Sequence, residues 1–166
     1  MNQNYIDTVR LLLAIAPAVF ASGRFAMKGG TALNLFVQEM PRLSVDIDLV
    51  FVDHRPDRQA ALKAIAQELV TVQSALAGKG YRAHLPANAE GDDVKLVVSD
   101  GTAQVKVEVN FVFRGTVLPG ETRSLVATAQ DLFTTDLAVP VLATAELYGS
   151  KLVAAWTDSI RATSST

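Results

Sequence analysis

The sequence contains no cysteine among its 166 residues. This absence excludes disulfide bonds and thiolate metal sites, and it fits a reducing compartment such as the cytoplasm. An excess of charge of one sign is also lacking, because 15 Lys and Arg face 17 Asp and Glu and give a net charge of -2. A global basic field of the kind that attracts nucleic acids is therefore excluded, whereas a local basic groove is not.

Long hydrophobic runs are lacking as well. The one membrane or export candidate, residues 11–21, is too short to span a bilayer, and the start of the chain is less basic than a signal peptide requires. Its apolar side chains fall at helical spacing, which favours a core helix. With 49% hydrophobic residues, we expect one cytoplasmic globular domain over residues 1–166, without a membrane segment.

Hydrophobic spacing and turn residues predict a mixed α+β fold, with helices on one face of a largely antiparallel or mixed sheet. We expect helices over residues 4–21, 31–40 and 144–156, and a long one from Pro56 to the glycines at 78–80. Strands are expected over residues 24–28, 46–52 and 81–85. A hairpin is expected over residues 92–113 around Asp100-Gly101, and two short strands between residues 115 and 141.

The clearest chemical pattern lies between residues 27 and 50, in MKGGTALNLFVQEMPRLSVDIDLV. Gly29 and Gly30 are expected to open a helix, where glycine lets backbone amides approach an anion. Asp46 and Asp48 are expected on the next strand, sharing one face about 7 Å apart. A divalent cation would offset their repulsion, so the pattern predicts a metal–nucleotide site.

A third carboxylate, Glu108, lies in the second strand of the hairpin, QVKVEVNF. If this strand lies beside the aspartate strand, Glu108 joins Asp46 and Asp48. Three carboxylates can hold two Mg²⁺ ions about 4 Å apart. The alternative is that Lys106 and Glu108 are solvent-facing residues that form ordinary cross-strand pairs.

Other polar residues are candidates for contacts with a phosphate. Lys151 falls among apolar positions of the last helix, so it either reaches water or meets a buried anion such as a triphosphate. Arg42 and Ser44 precede the aspartates, where they can touch a phosphate or brace the carboxylates; an exposed loop arginine is the ordinary alternative. His54 and His84 are isolated and carry no predicted role.

Four segments together resemble the nucleotidyltransferase-like toxins of the AbiEii type, within the DNA polymerase β nucleotidyltransferase superfamily. These segments are KGGTALNL, RLSVDIDL, KVEVNF and ELYGSKLVA. The resemblance extends over roughly residues 25–156 and concerns only the fold from 55 to 93. Its specific part is the combination of Gly-Gly with Asp-x-Asp, since a bare Asp-x-Asp would be a weak signal. The resemblance implies the polymerase β-like nucleotidyltransferase fold.

The resemblance also implies a Mg²⁺-dependent enzyme that transfers a nucleotide from a nucleoside triphosphate to an acceptor such as tRNA. Such proteins are toxins of toxin–antitoxin or abortive-infection systems, so a cognate antitoxin or repressor is an implied partner. In the expected site, Asp46, Asp48 and Glu108 are catalytic ligands of two Mg²⁺ ions, and Lys151 is a catalytic nucleotide contact. Together with the loop residues above, the further nucleotide contacts are Lys28, Gly29, Gly30, Thr31, Arg42 and Ser44.

One departure from the family pattern follows the lysine helix. Family members usually continue with an Arg-Asp-x-x-Asp-type motif and a further helical domain, whereas TDSIRATSST follows Trp156 here. We therefore expect that helical domain to be largely absent. This motivates an alternative function, a non-catalytic nucleotide-binding or protein-interaction module of the same fold. A metal-dependent nuclease is disfavoured, because the acid-x-Lys order of such enzymes is missing.

Overall fold

A seven-stranded mixed sheet forms the centre of the molecule, as seen in a computed structural model that describes residues 2–39, 44–86, 93–110 and 114–163. In chain order the elements are α1 (Gln3–Val19), β1 (Phe25–Lys28), α2 (Gly29–Phe36), β2 (Ile47–Phe51), α3 (Arg58–Gly78), β3 (Arg82–His84), β4 (Asp93–Ser99), β5 (Gln104–Asn110), β6 (Glu121–Ser124), α4 (Ala127–Phe133), β7 (Ala138–Val141) and α5 (Thr144–Thr163). The strands lie side by side in the order β3-β4-β5-β2-β1-β7-β6. The predicted α+β class with a mixed sheet is confirmed.

The central strands combine both pairing directions. β1 is antiparallel to β2 and parallel to β7, whereas β2 is parallel to β5. β4 and β5 form the antiparallel hairpin predicted around Asp100-Gly101, and β3 is added at its outer edge. β5 therefore lies directly beside β2, which was the condition for bringing Glu108 next to Asp48.

One face of the sheet carries the core. Met27, Leu49 and Val109 lie in register across β1, β2 and β5, and all three are fully buried. α1 and α3 pack against each other and cover β5 and β3 on that side. Because successive residues of a strand point to opposite faces, the alternate residues of β3, β4 and β5 form a second face. We call this second surface the open face; its described side chains are Arg82, His84, Lys95, Val97, Ser99, Gln104, Lys106, Glu108 and Asn110, and Asp93 belongs to the same face by its pairing with Asn110.

β2 begins one residue later than the sequence predicted, so Asp46 precedes the strand instead of lying on it. Its first residue, Ile47, is paired with Val107 of β5, whereas the pairing with β1 begins at Asp48, opposite Lys28. Asp46 lies just before both pairings begin.

α2 is shorter than the predicted helix over residues 31–40 and begins two residues earlier, at Gly29. Every residue from Thr31 to Phe36 is buried, so the polar Thr31 and Asn34 lie inside together with the apolar side chains. α3 begins after Asp57, whose carboxylate accepts a hydrogen bond from the Ala60 N–H at 2.8 Å. Pro56 therefore precedes the helix cap and is not part of the first turn.

The chain after residue 115 contains more helix than expected. α4 lies between β6 and β7, where only strands were predicted, and α5 extends to Thr163 instead of ending near residue 156. The second half of α5 exposes the large apolar side chains of Leu152, Val153, Trp156 and Ile160. Across the described part of the chain, no helix has both the length and the apolar character that crossing a membrane requires.

Candidate metal–nucleotide site

A row of four charged residues crosses the sheet at the level of the candidate site. Lys95 of β4 is opposite Glu108 of β5, Glu108 is opposite Asp48 of β2, and Asp48 is opposite Lys28 of β1. Adjacent strands lie about 4.8 Å apart, and residues in register share a face of the sheet. Two carboxylates therefore lie side by side in the middle of the row, with a lysine at each end.

Glu108 has a cationic partner in this row. Its carboxylate lies 3.1 Å from the Lys95 ammonium, and 26% of the Glu108 side chain is exposed. The expected cross-strand pair is thus formed, but with Lys95 of the neighbouring strand. Since the same carboxylate also adjoins Asp48, the ion pair and the acidic pair coexist. Sequence reasoning missed Lys95, although counting outward from the Asp100-Gly101 turn pairs it with Glu108.

Gly29 positions the carboxylate of Asp48 over the first turn of α2. Its φ angle is +78°, a left-handed conformation that favours glycine. A Cβ atom on Gly29 would lie 2.2 Å from the Asp48 Oδ2 atom. Any side chain at this position would therefore displace the carboxylate, so the glycine is required both by the backbone turn and by this close approach.

The segment before β2 is also tied to the start of α2. The Thr31 hydroxyl donates a hydrogen bond to the Ser44 Oγ atom at 3.1 Å, and Thr31 is fully buried. Ser44 also lies against Gly30, where a Cβ atom would be 3.2 Å from its Oγ. The structure thus brings four of the predicted nucleotide contacts together with Asp48, namely Gly29, Gly30, Thr31 and Ser44. Arg42 lies outside the described residues.

The oxygen donors of Asp48 and Glu108 fit a single Mg²⁺ ion. Mg²⁺ prefers oxygen ligands, and in nucleotide sites it is commonly held by one or two carboxylates together with substrate phosphates. The larger predicted cluster is not assembled: among the described residues, no group of three or more His, Cys, Asp or Glu side chains is arranged to hold a metal ion. Asp46 is exposed one residue before β2.

Lys151 lies on α5 and is exposed, which matches the reading in which its side chain reaches water. The preceding turn of α5 is anchored, because Leu147 is buried and the Tyr148 hydroxyl accepts a hydrogen bond from the Gln38 side-chain amide. α5 therefore packs beside α2. The structure does not bury Lys151 against an anion site.

A cavity of about 700 Å³ lies at the opposite end of β2 from the charged row. It is lined by Arg24, Phe51, His54, Arg55 and Leu118, among others, and contains none of the predicted site residues. Beside it, hydrogen bonds from Arg55 lower the pKa of Asp53 to about 2. The candidate site is thus a surface of the sheet and not this cavity.

Comparison with known proteins gives the following matches. The family model described as "Nucleotidyl transferase AbiEii toxin, Type IV TA system" matches residues 10–163, a range that includes every residue of the candidate site. A comparison with curated protein sequences gives no match.

Among solved structures, the chain is similar in fold to MenT4, a nucleotidyltransferase toxin from Mycobacterium tuberculosis H37Rv. The TM-score is 0.58 at 20% sequence identity, and the match covers 89% of this chain and 52% of that chain. The chain therefore spans about half the length of the solved structure.

Proposed function

We propose that this chain transfers a nucleotide from a nucleoside triphosphate to an acceptor in a Mg²⁺-dependent reaction. The chain belongs to the AbiEii family of nucleotidyltransferase toxins of type IV toxin–antitoxin systems. One observation supports this most strongly: the Asp48–Glu108 pair lies in register beside a glycine turn that opens a helix. This arrangement combines oxygen ligands for a cation with backbone amides for phosphates.

In this proposal Asp48 and Glu108 hold Mg²⁺, and Asp46, which is exposed one residue before β2, approaches them as a further ligand when the metal and nucleotide bind. When bound, the metal supplies charge neutralisation for the triphosphate and for the leaving pyrophosphate. Lys95 keeps the Glu108 carboxylate at the level of Asp48 by the ion pair at 3.1 Å. The acidic pair is thereby held on two rigid neighbouring strands.

The first turn of α2 is the proposed phosphate-binding element. The first N–H groups of a helix lack intrahelical partners and carry the positive end of the helix dipole. Gly29, Gly30 and Thr31 present such groups, and the Thr31–Ser44 hydrogen bond fixes the segment that leads to Asp46. Lys28 adds a positive charge at the end of the row. Lys151 and Arg42 complete the proposed nucleotide contacts.

The proposed reaction forms a bond between an acceptor hydroxyl oxygen and the α-phosphorus, and breaks the bond between that phosphorus and the bridging oxygen to the β-phosphate. Pyrophosphate leaves, and the hydroxyl proton passes to solvent. The chain's residues act by orientation and charge, which is what phosphoryl transfer chiefly requires. We propose an antitoxin as the counterpart, in keeping with the family description. We further propose tRNA as the acceptor and the cytoplasm as the location.

The second candidate is a module that binds nucleotide without transferring it. It is favoured by the Lys95–Glu108 ion pair, which already satisfies one carboxylate, and by the exposed position of Asp46 outside the acidic pair. This candidate predicts nucleotide binding with no incorporation at any Mg²⁺ concentration.

A labelling assay separates the two candidates. The protein is incubated with total tRNA and each α-³²P-labelled nucleoside triphosphate, with Mg²⁺ or with EDTA. We expect labelled tRNA only with Mg²⁺, and roughly a 100-fold loss in Asp48→Asn, because charge stabilisation at the reacting phosphate is removed. Asp53→Asn is the matched control, since Asp53 follows the other end of β2. Absence of label under all conditions would support the module instead.

A further inference from the structure

The open face carries a group of basic side chains that the nucleotide site does not use. Arg82 and His84 project from β3, Lys95 from β4 and Lys106 from β5, and all four are exposed. They lie on one side because residues paired in register share a face. α1 and α3 cover the other side, so these basic groups are accessible to a macromolecule.

The register fixes how these side chains are arranged. His84, Val97 and Lys106 form one row across β3, β4 and β5, so His84 and Lys106 are about 10 Å apart. Arg82 is two residues before His84, and Lys95 lies one row nearer to the acidic pair. The basic groups therefore form a path from the sheet edge to Glu108.

Between the sheet edge and Glu108 the path carries basic side chains, although the chain as a whole has a net charge of -2 and Asp93 lies on the same face in the row beyond Glu108. Among the described side chains of the open face, the only carboxylate is Glu108, at the end nearest Asp48. Asp100 is close enough to Arg82 for their charges to interact, but it belongs to the turn beyond β4. The described side chains of this face include no Phe, Tyr or Trp, and the His84 imidazole is their one aromatic ring.

We propose that the open face binds the sugar–phosphate backbone of a nucleic-acid acceptor and leads its reacting end to the Asp48–Glu108 pair. This inference rests on the proposed nucleotidyl transfer. Lysine and arginine contacts with phosphates bind without reading sequence, and the absence of Phe, Tyr and Trp from the described side chains of this face fits recognition of the backbone more than of the bases. Lys106 and Arg82 are the principal phosphate contacts, because Lys95 is paired with Glu108.

The triphosphate itself is too short to use this path. β3 is four strands away from β1 in the sheet order, which is about 19 Å. A triphosphate at the Gly29 turn therefore does not reach Arg82 or His84, whereas a polymer does. Binding of nucleotide and binding of acceptor are separable for this reason.

The test measures the binding of a fluorescein-labelled single-stranded RNA of mixed sequence by fluorescence anisotropy, over about 50 to 200 mM salt. The variant is the double substitution Lys106→Gln with Arg82→Gln. The control is Lys63→Gln with Lys79→Gln, which removes two exposed lysines at α3, on the covered side of the sheet. Calorimetric titration with the Mg²⁺ complexes of the nucleoside triphosphates is run on each protein.

We expect the open-face variant to bind RNA at least about tenfold more weakly, with a log–log salt slope that is smaller by about 1.4, or about 0.7 for each lost phosphate contact. The α3 control keeps the affinity and slope of the wild type. All proteins bind nucleotide equally.

Three results would overturn the inference. If wild type binds nucleotide but no RNA, the proposed nucleotide site survives and the open face is not an acceptor surface. If the α3 control weakens RNA binding as much as the open-face variant, the attraction is not located on this face. If the open-face variant loses nucleotide binding, its basic residues serve the triphosphate instead.

Discussion

Asp48 and Glu108 lie directly opposite each other on the parallel strands β2 and β5. Like charges directly opposite each other destabilise a sheet, so packing alone does not account for the pair. Lys28 and Lys95 extend the same row at its two ends and partly offset the repulsion. A cation between the carboxylates would offset it further, which is why this row is the centre of the proposed activity.

The first prediction concerns the contact between Gly29 and Asp48. Gly29→Ala places a Cβ atom where the Asp48 carboxylate lies and forces alanine into a positive φ angle. The backbone conformation costs about 1–2 kcal/mol of the free energy of unfolding. We expect the carboxylate to rotate away, so that calorimetry detects no Mg²⁺-dependent binding of nucleotide.

Gly23→Ala is the matched control for this substitution. Gly23 has a φ angle of +71°, and a Cβ atom there meets nothing within 4 Å. Because both substitutions force alanine into a positive φ angle, Gly23→Ala should lose about as much free energy of unfolding in chemical denaturation as Gly29→Ala. Its nucleotide binding should be unchanged. Wild-type nucleotide binding by Gly29→Ala would show that the position of the Asp48 carboxylate is unimportant.

The second prediction concerns the hydrogen bond between Thr31 and Ser44. Thr31→Val keeps the shape of a fully buried side chain but removes the donor, so we expect a loss of about 1 kcal/mol in the free energy of unfolding. Ser44→Ala should have a similar effect, and the double variant little more, because both remove the same bond. Additive losses from the two substitutions would contradict this.

Thr71→Val provides the comparison in the same denaturation experiment. The Thr71 hydroxyl donates to the Gln67 carbonyl on an exposed turn of α3, where water can replace the lost bond. We expect the free energy of unfolding to change by less than about 0.5 kcal/mol.

The third prediction concerns the pKa of Asp53. Hydrogen bonds from Arg55 lower it from 3.8 to about 2. A lowered carboxyl pKa means that the stabilisation is fully present above pH 3.8, and is lost as the pH falls from there through about 2. In Arg55→Gln, we expect the NMR titration midpoint of the Asp53 carboxyl to rise, while Lys63→Gln leaves it unchanged. A midpoint that stays near 2 in Arg55→Gln would assign the shift to another group.

Local patterns predicted much of the fold, because most elements carry strong spacing or turn signals. The Asp100-Gly101 turn predicted the hairpin, and its register also determines that Lys95 faces Glu108. The placement of Glu108 beside Asp48 depended instead on which strands become neighbours. That pairing joins residues 60 positions apart, and no local pattern fixes it.

Other features were missed for identifiable physical reasons. α4 spans only seven residues and buries only Ala129 and Phe133, too few positions for a helical period to be recognised. The start of β2 depends on where its pairing with β5 begins, at Ile47 opposite Val107, which local alternation around Asp46 does not reveal. The basic open face was missed because its residues come from three strands and become a group only when the sheet forms.

The most direct measurement is calorimetric titration of the nucleoside triphosphates, with and without Mg²⁺, into wild type, Asp48→Asn and Asp53→Asn. Our account predicts Mg²⁺-dependent binding by wild type and Asp53→Asn, and loss of that dependence in Asp48→Asn, with all three proteins folded. Equal Mg²⁺-dependent binding by Asp48→Asn, or no nucleotide binding by wild type, would contradict the assignment of the Asp48–Glu108 row as the metal–nucleotide site.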